Sequence, residues 1–204
     1  NPLLRVRFST SNPQDMSIDV IDMISKYNNI CKYIHLPVQS GSDKILKLMK
    51  RGYNRSEYIK LIDDIKTRIP DCAISMDMIS GFCSESENDH LETLSLMDYV
   101  KYDFGYMFKY SERPNTLAQR KYKDDVDEKI KSKRLTEIIT LQQKHSLYNN
   151  KKNIGTIKEV LVEGFSKKSK DYLYGRSTQN TVVVFPKENI SIGDFIKVKI
   201  DDCT

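Results

Sequence analysis

No apolar run in the 204-residue sequence approaches the roughly 18 residues that a membrane-spanning helix needs. No signal peptide is visible at the amino terminus, so the expectation is a soluble, cytoplasmic protein. Cysteine is scarce. Cys31, Cys72, Cys83 and Cys203 stand far apart with no C-x-x-C pair, which suggests neither a zinc site nor a disulfide framework and leaves free thiols in a reducing compartment. Charge of one sign is also lacking: the net +5 permits nucleic-acid binding without demanding it. The chain has no initiator methionine and opens at Asn1-Pro2 directly before an expected strand, so a fragment is expected. What is present, 39% hydrophobic residues, suffices for one core plus a small appended domain.

Strands are expected at residues 3–8, 33–38, 73–79 and 104–110, with helical patterns between them. Ser17 suits the cap of a helix carrying Ile18, Val20, Ile21, Met23 and Ile24. Ser42 suits another, with Ile45, Leu48 and Met49 on one face. Asn54 and Glu57 stand at capping-box spacing before a stripe of Tyr58, Leu61, Ile62, Ile65 and Ile69. Helix 86–100 is expected to turn Leu91, Leu94, Met97 and Val100 inward. The order βαβαβαβ implies a parallel sheet with right-handed crossovers. Every strand exit is rich in Ser, Asn or Arg, and such a polar rim at the carboxyl ends of parallel strands is where sites are built. Residues 117–150 read as a docked helix with Leu135, Ile138, Ile139 and Leu147 as its apolar stripe. Short β-branched runs separated by Gly and Pro then fill residues 151–204, the pattern of a small β-barrel. The expected division is therefore 1–150 and 151–204.

The stretches RVRFSTSNP, YIHLPVQSGSD, ISMDMISGF and FGYMFKYSERPNT, followed by the terminal barrel, resemble in this order the radical S-adenosylmethionine methylthiotransferases that thiolate transfer RNA. The resemblance implies the carboxyl-terminal half of a partial, TIM-like parallel β/α barrel followed by an OB-like TRAM barrel that grips RNA. It also implies S-adenosylmethionine and two four-iron clusters in the full-length parent. The C-x-x-x-C-x-x-C ligands of one cluster would precede residue 1, so no catalytic or metal-binding residue is assigned within 1–204, and the fragment alone is expected to be inactive.

By the same resemblance, Gln39 stands at a strand exit where related enzymes contact the cofactor, and Arg51 follows at the spacing of an arginine near the cofactor carboxylate. A guanidinium suits that task through its fixed pair of donors. Asp77 would accept from a ribose or amino group, and Thr10 and Ser11 occupy ribose-contact positions. Cys83 and Ser84 depart from the Pro and Gly of the family's turn, and Cys83 reads as structural. In the terminal barrel Lys167, Lys168, Lys170 and Arg176 interleave with Tyr172 and Tyr174, a combination suited to phosphates and unpaired bases of a tRNA anticodon stem-loop. Residues 151–204 hold 10 Lys and Arg against 7 Asp and Glu, a modest excess. The implied activity is addition of a methylthio group to a prenylated adenosine beside the anticodon. Sibling enzymes acting on threonylcarbamoyl-adenosine or a ribosomal protein, and a non-catalytic RNA-binding module, stay open as alternatives, as does the oligomeric state.

Overall fold

The computed structural model describes residues 4–10 and 12–204. A 3-10 turn at Pro13–Asp15 leads into α1 (Ile18–Lys26), β1 (Tyr33–His35), α2 (Asp43–Leu48), α3 (Arg55–Arg68), β2 (Ala73–Ser80), α4 (Glu87–Val100) and β3 (Phe104–Lys109). The three strands are parallel in the order β1-β2-β3. Of the strand expected at 3–8, Leu3 lies outside the described residues and only Val6 pairs, as a single bridge to Ile30. β1 is also shorter than expected, because Pro37 has no N–H for the ladder. Leu36 still donates to Ser75 and Gln39 bridges Met78, so the chain stays against β2 as far as the rim.

Period-2 alternation divides the sheet. Ile34, Ile74, Met76 and Met78 pack against the helices with Ile21, Ile24, Ile62, Ile65, Leu96 and Met97, all buried. Burial of each such side chain contributes about 1.5–3 kcal/mol. On the other face stand Tyr33, His35, Ser75, Asp77, Phe104, Tyr106 and Phe108. In α4 Met97 and Val100 turn inward as expected and Leu94 packs partly against the core, but Leu91 is exposed, and Asp89, His90, Thr93 and Leu96 complete the buried face. Local polar bonds hold its polar members. Ser86 and Asp89 form a capping box, His90 reaches Glu137 at 2.6 Å, and the Thr93 hydroxyl accepts from the Gly41 N–H at 2.9 Å.

A short helix, α5 (Leu117–Lys121), precedes α6 (Glu128–Lys151), and of the expected apolar stripe only Ile138 is fully buried. Leu147 is exposed, and the buried face is Lys131, Arg134, Ile138, Gln142 and His145. Lys131 pairs with Asp124 at 2.6 Å and Glu128 at 3.0 Å, and Arg134 pairs with Glu85 at 3.0 Å. The Gln142 amide donates to the Tyr102 carbonyl at 2.8 Å, and His145 meets Asp98 at 2.9 Å. Paired charges and hydrogen bonds therefore dock this helix.

The terminal unit is a curled antiparallel sheet of β4 (Ile157–Phe165), β5 (Tyr172–Ser177), β6 (Val182–Pro186) and β7 (Phe195–Lys199) in the order β6-β5-β4-β7. Its core is Val160, Val162, Leu173, Val183 and Phe185. The segment around Val6 ties this unit to the first. Arg5, its side chain 7% exposed, pairs with Glu159 at 2.9 Å, donates to the Arg176 carbonyl at 2.8 Å and lies over the Phe195 ring. Gln179 donates to Asp71 at 2.8 Å. These contacts fall at the amino ends of the parallel strands, opposite the polar rim.

Candidate cofactor rim and nucleic-acid surface

The rim is built on residues 35–39, where β1 ends. Gln39 takes a left-handed backbone, φ 73°, a region that costs a non-glycine residue about 1–2 kcal/mol. Its main chain is held on both sides: its N–H donates to Asp77 (2.9 Å) and its carbonyl accepts from Ile79 (3.0 Å). Its side-chain amide makes no hydrogen bond among the described residues. A strained residue with an uncommitted amide at a strand exit is a common mark of a ligand site. Arg51 donates through Nη2 to the Pro37 carbonyl at 3.4 Å and through Nε to the Tyr53 hydroxyl at 3.3 Å. The Tyr53 hydroxyl in turn donates to the Val38 carbonyl at 2.9 Å. Thr10 donates to the His35 carbonyl. Asp77 lies on the inner face, its Oδ1 3.5 Å from His35 Nε2, and Oδ2 has no protein partner among the described residues. Ser11 lies outside the described residues. Thr10, Arg51 and Asp77 thus all touch the five-residue segment that ends in Gln39.

The loop that follows is braced by α4. The Ser42 hydroxyl makes no cap bond to its own helix and donates to Asp89 at 2.6 Å, beside Lys44 at 2.8 Å. Burial alone would raise the Asp89 carboxyl; the bonds from Lys44, Ser42 and Ser86 hold it well below the usual range. Gly41 permits the contact, since a Cβ there would stand 2.6 Å from the Glu92 carbonyl oxygen and from the Thr93 Cα. Beside the rim, Phe82, Cys83 and Tyr110 form a small cluster with Ile45. Cys83 is fully buried and burial pushes its thiol up, in keeping with a structural part.

In the terminal sheet, Lys167, Lys168 and Lys170 are exposed in the β4–β5 hairpin, with Tyr172 exposed where β5 begins. Tyr174 is half-buried on the same face of β5, its ring lying against Gly164, next to the bulge in β4. Arg176 stands apart from this group. Its guanidinium pairs with Glu163 at 3.0 Å and meets Asn180 at 3.3 Å, and its carbonyl takes the bond from Arg5. The structure brings together three lysines and a tyrosine at the hairpin and places Arg176 in the seam between the two units.

A model of the radical SAM superfamily matches residues 1–97 and one of the TRAM domain matches residues 151–204. Residues 1–97 are thus similar to part of a radical SAM domain and residues 151–204 to a TRAM domain. Proteins named tRNA-2-methylthio-N(6)-dimethylallyladenosine synthase are 63% identical in Christiangramia forsetii and 59% in Flavobacterium johnsoniae, over 100% of this chain and 42% of each relative. The corresponding protein of Bacteroides fragilis is 52% identical, over 100% of this chain and 44% of its own length. The chain thus spans less than half the length of these curated relatives. Coproporphyrinogen III oxidase from Escherichia coli, described as a radical SAM enzyme, superposes with a TM-score of 0.56 over 83% of this chain and 45% of its own, at 15% identity, a likeness of fold.

For a radical SAM chain the rim fits S-adenosylmethionine. Among the described residues Gln39 has an uncommitted amide and Asp77 an uncommitted carboxylate oxygen, and the Arg51 guanidinium lies against the Pro37 carbonyl of the same segment. The residues present do not fit an iron–sulfur cluster: among the described residues no three His, Cys, Asp or Glu side chains converge on one point. His35 belonged to the sequence motif, yet its role escaped the sequence reading. The available signal was the alternation Tyr33, His35 and Ser75, Asp77, which places polar side chains on one face of two neighbouring strands.

Proposed function

We propose that this chain is the carboxyl-terminal part of a tRNA methylthiotransferase that acts on N6-dimethylallyladenosine beside the anticodon, in the cytoplasm. Residues 1–150 would form part of the cofactor barrel and residues 151–204 the TRAM domain that holds tRNA. The observation that carries the reading is that Thr10, Arg51 and Asp77 all contact residues 35–39, whose last member, Gln39, is strained with its amide uncommitted among the described residues. The names of the relatives supply the substrate. Bound at the rim, S-adenosylmethionine would supply radical and methyl-donor chemistry, and two four-iron clusters would be held by cysteines outside residues 1–204. Within this chain, Arg51 would orient the cofactor carboxylate, Gln39 and Asp77 its nucleoside, and Thr10 with Ser11 its ribose. Lys167, Lys168, Lys170, Tyr172 and Tyr174 would hold tRNA.

The test is a chimaera in which this chain replaces the matching segment of the Flavobacterium johnsoniae relative, expressed in a strain lacking the activity. Mass spectrometry of digested tRNA should detect the methylthio nucleoside, and Asp77→Asn and Gln39→Ala should each deplete it. A folded, cluster-loaded chimaera that leaves the prenylated adenosine unmodified would refute the reading.

A further inference from the structure

The inner face of the half-barrel carries a run of polar groups that the cofactor rim alone does not account for. The Tyr33 hydroxyl lies 2.6 Å from Ser75 Oγ. Ser75 Oγ lies 2.8 Å from His35 Nδ1, and His35 Nε2 lies 3.5 Å from Asp77 Oδ1. Ser75 is fully buried and the His35 side chain is 13% exposed. The Tyr106 ring stands edge-on to the imidazole, so the ring is flanked from all three strands.

Proton counting gives this run a direction. A serine hydroxyl has one hydrogen to give and two neighbours here that can use it. If Nδ1 donated to Ser75, a neutral imidazole would turn the bare lone pair of Nε2 toward the Asp77 carboxylate, two acceptors facing each other. The opposite order satisfies every group. Tyr33 donates to Ser75, Ser75 donates to Nδ1, and the proton on Nε2 faces Asp77. The hydrogen bond made by one ring nitrogen thus fixes what the other presents.

We propose that His35 is a positioning residue of the cofactor pocket, locked by Tyr33 and Ser75 as the Nε2–H tautomer, which turns a donor toward Asp77 Oδ1 and so favours presentation of Oδ2 to a hydroxyl or amino donor of a bound nucleoside. The assignment rests on the reading of the rim as a nucleoside-cofactor pocket. It adds a chain of residues that reaches the ligand only through Asp77.

The sequence holds three histidines, so nitrogen-15 labelling of histidine gives three ring systems, and the one missing from His35→Gln identifies His35. Near neutral pH its Nδ1 should be unprotonated and its Nε2 protonated, and Ser75→Ala or Tyr33→Phe should convert the signal to a tautomer mixture. A protonated Nδ1 in the unmodified chain, or a spectrum unaltered by Ser75→Ala, would overturn the lock. Calorimetry with S-adenosylhomocysteine provides the second arm. His35→Ala should weaken binding about fivefold, as the donor facing the Asp77 carboxylate is lost. His35→Gln, whose amide nitrogen can take the place of Nε2, should stay within about twofold of the unmodified chain. Equal weakening in both folded variants would mark His35 as structural and overturn the proposal. If the unmodified chain does not bind S-adenosylhomocysteine, the pocket reading falls, and the tautomer measurement by itself decides whether His35 is locked.

Discussion

Replacing Arg134 by methionine removes a buried guanidinium while keeping much of its apolar stem. Arg134 and Glu85 have side chains 6% and 2% exposed, so solvent screens their pairing very little. The guanidinium donates to both the backbone carbonyl and the carboxylate of Glu85 at 3.0 Å. Its removal strands a buried carboxylate whose remaining bond is from the Gly81 N–H at 2.9 Å. Breaking such a pair from one side costs about 3–5 kcal/mol, which for a chain of this size lowers the melting temperature by roughly 10 °C. The pH dependence separates this cause from lost packing. Burial already pushes the Glu85 carboxyl up, against the lowering by Gly81 and Arg134, and without Arg134 it rises further. A carboxyl raised in the folded state favours folding when protonated, and that contribution is lost as pH rises through its folded pKa. The deficit of Arg134→Met relative to the unmodified chain should therefore be largest near about pH 7 and shrink toward about pH 5. Urea unfolding followed by helical circular dichroism at both pH values measures it. A deficit of equal size at the two pH values would refute the stranded-charge account.

Gln39→Gly should relieve the left-handed strain and, after the extra unfolded-chain entropy of glycine, leave stability unchanged or raised by up to about 1 kcal/mol. The same variant should bind S-adenosylhomocysteine more weakly, as melts and calorimetry would show. Charge reversal at Lys167 and Lys168 should lower tRNA affinity and flatten its salt dependence through fewer released counterions. Tyr172→Ala should lower affinity by roughly 1–3 kcal/mol with the slope kept. Arg176→Ala, already paired to Glu163, should leave that slope alone; anisotropy across a salt series distinguishes all three. Gly41→Ala would force a Cβ to within 2.6 Å of the α4 backbone and should destabilise by about 1–3 kcal/mol in thermal melts.

Much of the architecture could be read from local chemistry, because caps and alternation are local. Ser17 and Asn54 cap their helices as expected, the latter with Glu57 in a full capping box. The inward face of α6 was not legible. Apolar periodicity is blind to a face made of Lys131, Arg134, Gln142 and His145, whose partners Glu85, Asp98, Tyr102 and Asp124 lie on other segments of the chain. The polar part of the buried face of α4 escaped for the same reason: the Thr93 hydroxyl takes the N–H of Gly41, far away in sequence. At the rim, the family resemblance pointed to Gln39 and Arg51, but the strain at Gln39 is visible only in the backbone. For Arg176, composition suggested a free cation, and only folding reveals Glu163 across the strand.

The seam formed by Arg5, Arg176 and Gln179 bears on how a substrate would be measured. It grips the amino ends of the parallel strands near Asp71, and at about 3.3 Å per residue Asp71 and the inward-facing Asp77 are about 20 Å apart along the chain. A free nucleoside is too small to touch the rim and the terminal sheet together, whereas a folded polynucleotide is not. Because Arg5 locks the two units with a buried side chain, that separation is a fixed gauge. If the terminal sheet holds tRNA as proposed, molecules would be sorted by reach before any base is read, and loosening Arg5 should blunt that selection while leaving each contact surface intact.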